Sequence, residues 1–410
     1  MTTAVISVYK VASFPDGGGH FWVYLQYALG LRRLGCDVYW LEQLRPARDP
    51  ARQTSVISTF QERMKQFGFE GRTLLYTLDG EGEPHLVGGT WSEAEAVLRR
   101  ADVVLNFHYA IDPRLLAYAR RTALVDIDPG LLQFWMSTGQ LNVPAHDCYL
   151  TTGETVGTPA ARFSDCGLQW THIRPPVCLD LWPVTDDARP EDFTTVSSWS
   201  SASWLKVNRD GQSILIDNTK RVSFLDFVDL PRHTSQPLEL ALYLLDRDPA
   251  GPVRVKQAQQ DAADRASLER HGWRVRDSRE VTGSPTTYRS YIQQSRGEFS
   301  AAKPSCRGFQ NAWVSDRTVS YLASGKPVVV QHTGPSTYLP DGEGMFRFVS
   351  LPDAVAALET INRDYRRHCR AAREIAEAYF DARRILATAL NAVLSPLSPL
   401  SPQAAGSEVS

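Results

Sequence analysis

Two groups of residues in this sequence have types and spacings suited to chemistry on a charged substrate. The first lies between Phe299 and Pro340, where Lys303, Arg307 and Trp313 lead to Ser315-Asp316-Arg317-Thr318, then Gly325-Lys326-Pro327, Val328-Val329-Val330 and Gln331-His332-Thr333-Gly334. Ser315 is placed to cap a helix over Asp316–Ser324. Gly325 ends that helix, Pro327 forbids its continuation, and the valine run reads as a buried strand. The free N–H groups at such a helix start, its positive dipole end and the side chains of Ser315, Arg317 and Thr318 all suit phosphate oxygens, a diphosphate in particular. The same segment also reads as an ordinary helix–strand unit with a solvated arginine, because serine caps and glycine stops are common. The second group is Asp16-Gly17-Gly18-Gly19-His20. Its glycines let backbone approach a ligand, and an imidazole there either moves a proton or merely opens the following helix.

Both groups sit on alternating strand and helix patterns. Ala4–Tyr9 reads as a strand, Phe21–Leu34 as an amphipathic helix stopped by Gly35, and Asp37–Leu41 as a second strand. This opening is a Rossmann-like half, yet a G-x-G-x-x-G dinucleotide fingerprint needs a small residue where Trp22 stands, so a nicotinamide cofactor is excluded at this loop. Helices over Arg52–Phe67 and Ser92–Arg100 alternate with strands over Arg72–Leu78, Val103–Phe107, Ala123–Ile127 and Cys148–Thr152, with a glycine-rich turn around Gly80–Gly89.

His108 closes one of these strands, and strand ends are where open α/β sheets place ligand contacts. Glu154 follows the last of them, either projecting into a cleft or offsetting a helix dipole. The D-x-D patterns Asp126-Ile127-Asp128 and Asp246-Arg247-Asp248 carry little weight as metal sites, since common acids give such a pattern on the order of once by chance in a chain this long.

A proline-rich stretch over Arg174–Pro190 reads as an interdomain linker. Thr194–Ser198 restarts the alternation as a strand and Ser200–Ser203 as loop. Phe224–Val228 follows as a short helix, Leu238–Leu245 as a compact apolar element, Gln257–Arg270 and Tyr288–Gln294 as helices, and Trp273–Val275 and Gly297–Phe299 as strands. Asp353 is placed to cap a long helix that bends near Tyr379–Asp381 and ends at Leu394. Ser395–Ser410, with its repeated Leu-Ser-Pro, reads as a disordered tail.

At 410 residues the chain fits two ordinary domains, and with 44 basic against 46 acidic residues no general field draws it to nucleic acid or an anionic membrane. Any anion site must therefore be local. Six scattered cysteines without a C-x-x-C pair read as reduced thiols, and no zinc site is visible. No apolar run is long enough for an integral membrane segment and no signal core precedes the first strand, so the expectation is a cytoplasmic protein.

The order from Trp313 to Gly334 resembles the donor-binding segment of GT-B glycosyltransferases of the bacterial group 1 type. The resemblance implies an α/β fold with two Rossmann-like domains facing across a cleft and a C-terminal helix crossing back to the first. The expected division is 1–180 for an acceptor-binding domain, 181–193 for a linker, 194–370 for a nucleotide-sugar-binding domain, 371–394 for the crossing helix and 395–410 for the tail. Carried over by position, Arg317 and Thr318 face the diphosphate, Gln331, His332 and Thr333 the sugar, and Lys303 or Lys220 helps hold the departing diphosphate without a metal or cofactor. A solvated lysine is the commoner state for a residue like Lys220. Where many members carry a ribose-binding glutamate, this chain has Ser320, so that role moves one turn back to Asp316. The loop Val281–Thr287 would lie near the nucleotide base, Asp16 to Gly19 would face the acceptor, and His20 would be the base that deprotonates it, with Glu154 and His108 as further cleft residues. The implied partners are a nucleotide-diphosphate sugar and a small-molecule or glycan acceptor. A nucleotide-sugar epimerase of the same fold and an inactive binding protein are the alternatives.

Overall fold

Two largely parallel sheets carry the chain, each wound outward from its own first strand. The computed structural model describes residues 1–45, 49–185, 190–200, 204–209, 212–245 and 252–395. The first sheet holds β1 (Thr3–Val8), β2 (Asp37–Gln43), β3 (Thr73–Leu78), β4 (Pro84–Leu86), β5 (Val103–Asn106), β6 (Thr122–Asp126), β7 (Cys148–Thr151) and β8 (Trp170–His172). Their order is β4-β3-β2-β1-β5-β6-β7-β8, with only β4 antiparallel to its neighbour. After β9 (Phe193–Ser198) comes a separate antiparallel hairpin, β10 (Trp204–Arg209) and β11 (Gln212–Asp217). The second sheet then adds β12 (Leu238–Tyr243), β13 (Arg274–Asp277), β14 (Gly297–Ser300), β15 (Val328–Gln331) and β16 (Met345–Phe348), in the order β13-β12-β9-β14-β15-β16. Both sheets reverse direction at their first strand, so each has a crevice beyond the carboxyl ends of β1/β5 and of β9/β14, where open α/β sheets hold ligands.

Helices α1 (Gly18–Arg33), α2 (Pro50–Gln66), α3 (Trp91–Arg100), α4 (Pro113–Leu116) and α5 (Leu131–Ser137) connect the first sheet. The second uses α6 (Lys220–Leu225), α7 (Pro252–Arg270), α8 (Ser278–Thr282), α9 (Pro285–Gln293), α10 (Pro304–Phe309) and α11 (Asp316–Ala323). The chain finishes with α12 (Leu351–Arg363), α13 (Tyr365–Tyr379) and α14 (Ala382–Leu394).

Most expected elements fall within a few residues of those observed, and the differences have local causes. The stretch read as one bent C-terminal helix is broken at Asp364 as well as near Asp381, because each aspartate turns its carboxylate onto a following N–H (Arg367 and Arg383) and so starts a new helix. Asp353 is not the cap of α12. Ser350 is, and the two form a reciprocal capping box. The proline-rich stretch is not loose either, since Trp182 is fully buried and Val177 exchanges backbone hydrogen bonds with Phe380 and Ala382 at the α13–α14 junction. α4, α5, α8, β4, β8, β16 and the β10–β11 hairpin have no counterpart in the sequence patterns; α8 and the start of α9, which Ser284 caps, occupy most of what reads as the loop Val281–Thr287, and α10 part of what reads as loop after Lys303. Asp246-Arg247-Asp248, Ser201–Ser203 and the tail beyond Ser395 lie outside the described residues.

The seam between the sheets is itself core. Trp22 and Trp182 meet edge to face at 5.0 Å, the Trp22 indole donates to the Pro285 carbonyl at 2.8 Å, and Tyr288 packs beside them. This is why a tryptophan stands where a dinucleotide loop needs a small residue. α14 crosses onto α1, where a side chain at Gly30 would collide with Leu386. The crossing helix thus fastens the C-terminal end of the chain to the first sheet's domain.

Candidate functional site

A cavity of about 360 Å³ opens between the two crevices, lined from one side by Asp16, Gly17, Gly18, Gly19 and His20 and from the other by Lys220, Lys303, Ser315, Asp316 and Arg317. Residues more than two hundred positions apart are thereby brought into one cleft, with the glycine loop facing the start of α11. Val196, Ser197 and Ser198 at the end of β9 form part of its wall.

Lys220 departs from the sequence reading in its state. It is buried, 8% exposed, at the start of α6, and it also lines a smaller void of about 30 Å³ behind Ser315. Among the described residues its ammonium has no hydrogen-bond or ion-pair partner. Burial, and after it the neighbouring Arg317, push its pKa down to about 7. The expectation of a solvated lysine is therefore corrected. Two bonds hold α6 here, from Thr219 N–H to the Asp217 carboxylate and from Ser305 N–H to Asn218 Oδ1, both 2.8 Å. The Glu298 charge only partly offsets the burial of Lys220, and an anion in the cavity would lower the remaining cost.

Arg317 has a different position from the one expected. Its guanidinium donates to Glu298 Oε1 at 2.7 Å, to the Val196 carbonyl at 2.8 Å and to Ser300 Oγ at 2.6 Å. The reason is helical rotation. Ser315 caps α11 as expected, accepting from Arg317 N–H, and the next residues turn by about 100° each, so that the Arg317 guanidinium turns down onto the sheet while Arg317 and Asp316 both still line the cavity. Glu298 is the partner the sequence did not suggest. Asp316 is half-buried at the cavity wall, and desolvation raises its pKa although Arg317 and Lys220 work against this. Ser320 spends its hydroxyl on the Asp316 carbonyl, and Thr318 is buried beside the smaller void.

The residues after β15 are less open than expected. Gln331 accepts from Ala302 N–H at 3.0 Å, and Thr333 donates its hydroxyl to the Trp313 carbonyl at 2.8 Å. Both line the smaller void, while His332 lines a separate open groove with Arg307. Their contacts hold the β15 loop against the segment before α11.

On the opposite wall, His20 donates Nε2–H to the Tyr9 carbonyl at 2.8 Å, which leaves Nδ1 unprotonated in the neutral ring. Burial lowers its pKa below 6.5, with the Tyr9 bond and the Asp128 charge partly offsetting this. The glycines before it serve the seam as well as the cavity. A side chain on Gly18 would run into the Ser284 and Thr282 carbonyls, and one on Gly19 into the Tyr288 ring. Close approach is thus to the other domain's backbone, beyond what the sequence suggested.

His108 lies in a second pocket of about 480 Å³, its ring stacked on Tyr9 at 4.9 Å. Tyr24 lines that pocket and meets His20 edge to face at 5.3 Å, so His20 stands between the two cavities. Glu154 is elsewhere. It accepts from Thr337 N–H and Oγ1 at 2.7 Å and so clasps the two domains; burial raises its pKa, and hydrogen bonds from Ser336 and then Thr337 outweigh that and lower it. Asp126 of the D-x-D pattern is fully buried, accepting from Gln133 and Thr151, and burial raises its pKa to about 7.

Sequence reading missed Tyr243 and Tyr288, which line the main cavity with Ser278 and Thr282 from the α8–α9 region. Tyr243 ends β12, and the strand-end rule could have singled it out. Among the described residues, no helix is long and apolar enough to cross a membrane.

No protein-family model matches the sequence, and no curated protein matches it. Solved structures do resemble it. An α-glucosyltransferase in complex with UDP has a TM-score of 0.60 at 10% identity, over 95% of this chain and 99% of that one. The sucrose-phosphate synthase of Thermosynechococcus elongatus has a TM-score of 0.56 at 12% identity, over 95% and 97%. HepE of Anabaena in complex with UDP and glucose has 0.53 at 13% identity, over 95% and 100%. These are similarities of architecture, and the architecture is GT-B: two Rossmann-like domains across a cleft, with a crossing C-terminal helix.

Proposed function

We propose that the chain is a glycosyltransferase that binds a nucleoside-diphosphate sugar in the cleft and passes the sugar to a hydroxyl acceptor. The observation that carries this reading is Lys220, a buried ammonium in no ion pair among the described residues and only partly offset by the Glu298 charge, at the wall of the cavity where Lys303 and the N-terminus of α11 converge. Three sources of positive potential around one space suit a diphosphate. UDP is the first nucleotide to try, because similar structures were solved with it.

In this reading the acceptor oxygen bonds to the anomeric carbon while the bond from that carbon to the β-phosphate oxygen breaks. The acceptor proton goes to His20 Nδ1, and the charge left on the diphosphate is met by Lys220, Lys303 and the α11 N–H groups. Asp316 accepts from the ribose hydroxyls, and the base lies toward Tyr243. Arg317 acts one layer below, holding the end of β9 and the start of α11 in register.

Incubation with labelled UDP-glucose, UDP-galactose, UDP-glucuronate and a GDP-sugar tests the proposal, with and without a mixed sugar-acceptor set. Release of UDP or GDP that depends on acceptor supports transfer. Interconversion of the nucleotide sugars without acceptor would support an epimerase instead, and tight binding without turnover a binding protein.

A further inference from the structure

The pocket that holds His108 is walled by aromatic rings, Tyr9, Tyr24, Phe107, Tyr109 and Trp135 among them. Such walls suit a flat or ring-shaped molecule, since an aromatic face gives large contact area at low entropic cost. Its polar groups are few. Asp128 already takes a hydrogen bond from the Tyr109 hydroxyl at 3.4 Å. Arg45 is exposed and lines the pocket, and Lys10 lies over the Tyr9 ring at 4.8 Å. Neither cation has an ion-pair partner among the described residues. Lys10 is also held with φ at 57°, a left-handed backbone that a lysine adopts only where its surroundings require it.

Resting on the reading of this cleft as a glycosyl-transfer site, we propose that the acceptor is a ring-bearing hydroxyl compound with an anionic group. Its ring lies on the aromatic walls and its carboxylate or phosphate is met by Arg45 and Lys10. His108 contributes no charge to this, because burial first and then the field of these two cations push its pKa down to about 4. One carboxylate, Asp128, stands against Arg45 in the pocket and Lys10 over its Tyr9 wall, a net positive balance, while the main cavity's cations stand on the other side of His20. A negative group on the acceptor therefore orients it, with its hydroxyl toward His20 and its anion away from the donor diphosphate.

The test is calorimetric titration of the full chain, with and without UDP, by methyl glucoside, methyl glucuronide and methyl glucoside 6-phosphate. At least one anionic probe should bind about tenfold or more tightly than the neutral one, the usual scale of a charge-assisted contact, and the one that does so distinguishes carboxylate from phosphate. K10Q/R45Q should lose that preference while its affinity for methyl glucoside and for UDP stays within about twofold. Equal binding of the three probes, binding of none, or a preference that survives K10Q/R45Q overturns the inference. Failure of UDP to bind would count against the donor reading alone, since the probe preference is still read in the titration without UDP.

Discussion

Arg317 of α11 and Glu298 of β14 form an ion pair at 2.7 Å in which the arginine side chain is 9% exposed and the carboxylate 0%. Desolvation works against the charged guanidinium, and Glu298, its first offsetting neighbour, more than compensates, so its pKa stays raised. Among the described residues Glu298 Oε2 takes no hydrogen bond. Removing Arg317 would leave a buried, unpaired carboxylate.

R317A should therefore destabilise the fold by about 3–5 kcal/mol, the usual cost of stranding one member of a buried pair. The double variant R317M/E298L should recover most of that loss. Urea denaturation of the three proteins checks this. A loss below about 1 kcal/mol in R317A would mean that the pair contributes little.

The same pair shows where the sequence is readable and where it is not. Ser315 as cap, Gly325 in a left-handed conformation and the valine strand were legible because each depends on its own backbone geometry. Which of Asp316 and Arg317 faces the cleft depends on how α11 is rotated against β14. That rotation is set by Glu298, eighteen residues before Asp316 and without a local signal. Lys220 was harder still. The β10–β11 hairpin separates it from β9, so no motif spacing connects it to the strand whose end it flanks, and burial is a property of the assembled cleft. The doubly wound order of both sheets, by contrast, follows from the alternation of strand and helix patterns.

Nucleotide binding should depend on pH through Lys220. Its folded pKa, about 7, lies below the ordinary lysine value, so the unfolded chain binds the extra proton between these limits. Stability of the free protein should accordingly rise with pH from about 7 toward 10. A diphosphate favours the charged form, so affinity for UDP should fall as pH rises above 7, by up to about tenfold per unit. Calorimetry at pH 8 in two buffers of different ionisation enthalpy should show proton uptake on binding. K220M should show neither effect.

His20 gives the acid limb. A general base must be neutral, and burial places its pKa below the usual 6.5. Turnover should rise with pH through that lowered value, and H20A should lose about 10²-fold to 10⁴-fold in kcat together with this inflection. UDP affinity should stay within about twofold. Near-normal turnover in H20A with an unchanged profile would make the histidine structural.

The seam is testable at Gly18, where a methyl group would meet the Ser284 and Thr282 carbonyl oxygens. G18A should cost about 1–3 kcal/mol, as overpacking usually does, and should raise the radius of gyration in small-angle scattering as the domains part. G80A, at a glycine with open space around it, is the control. Equal behaviour of the two variants would show that the seam yields without cost.

The central claim is that Lys220 is the counter-charge for a nucleoside diphosphate. Titration of wild type and K220M with UDP and with uridine tests it most directly. The account predicts that UDP binds wild type about 10-fold to 100-fold more tightly than K220M, the range of a charge-assisted contact, while uridine binds both alike. Equal UDP affinity in the two proteins, with K220M shown to be folded by its thermal unfolding, would contradict it.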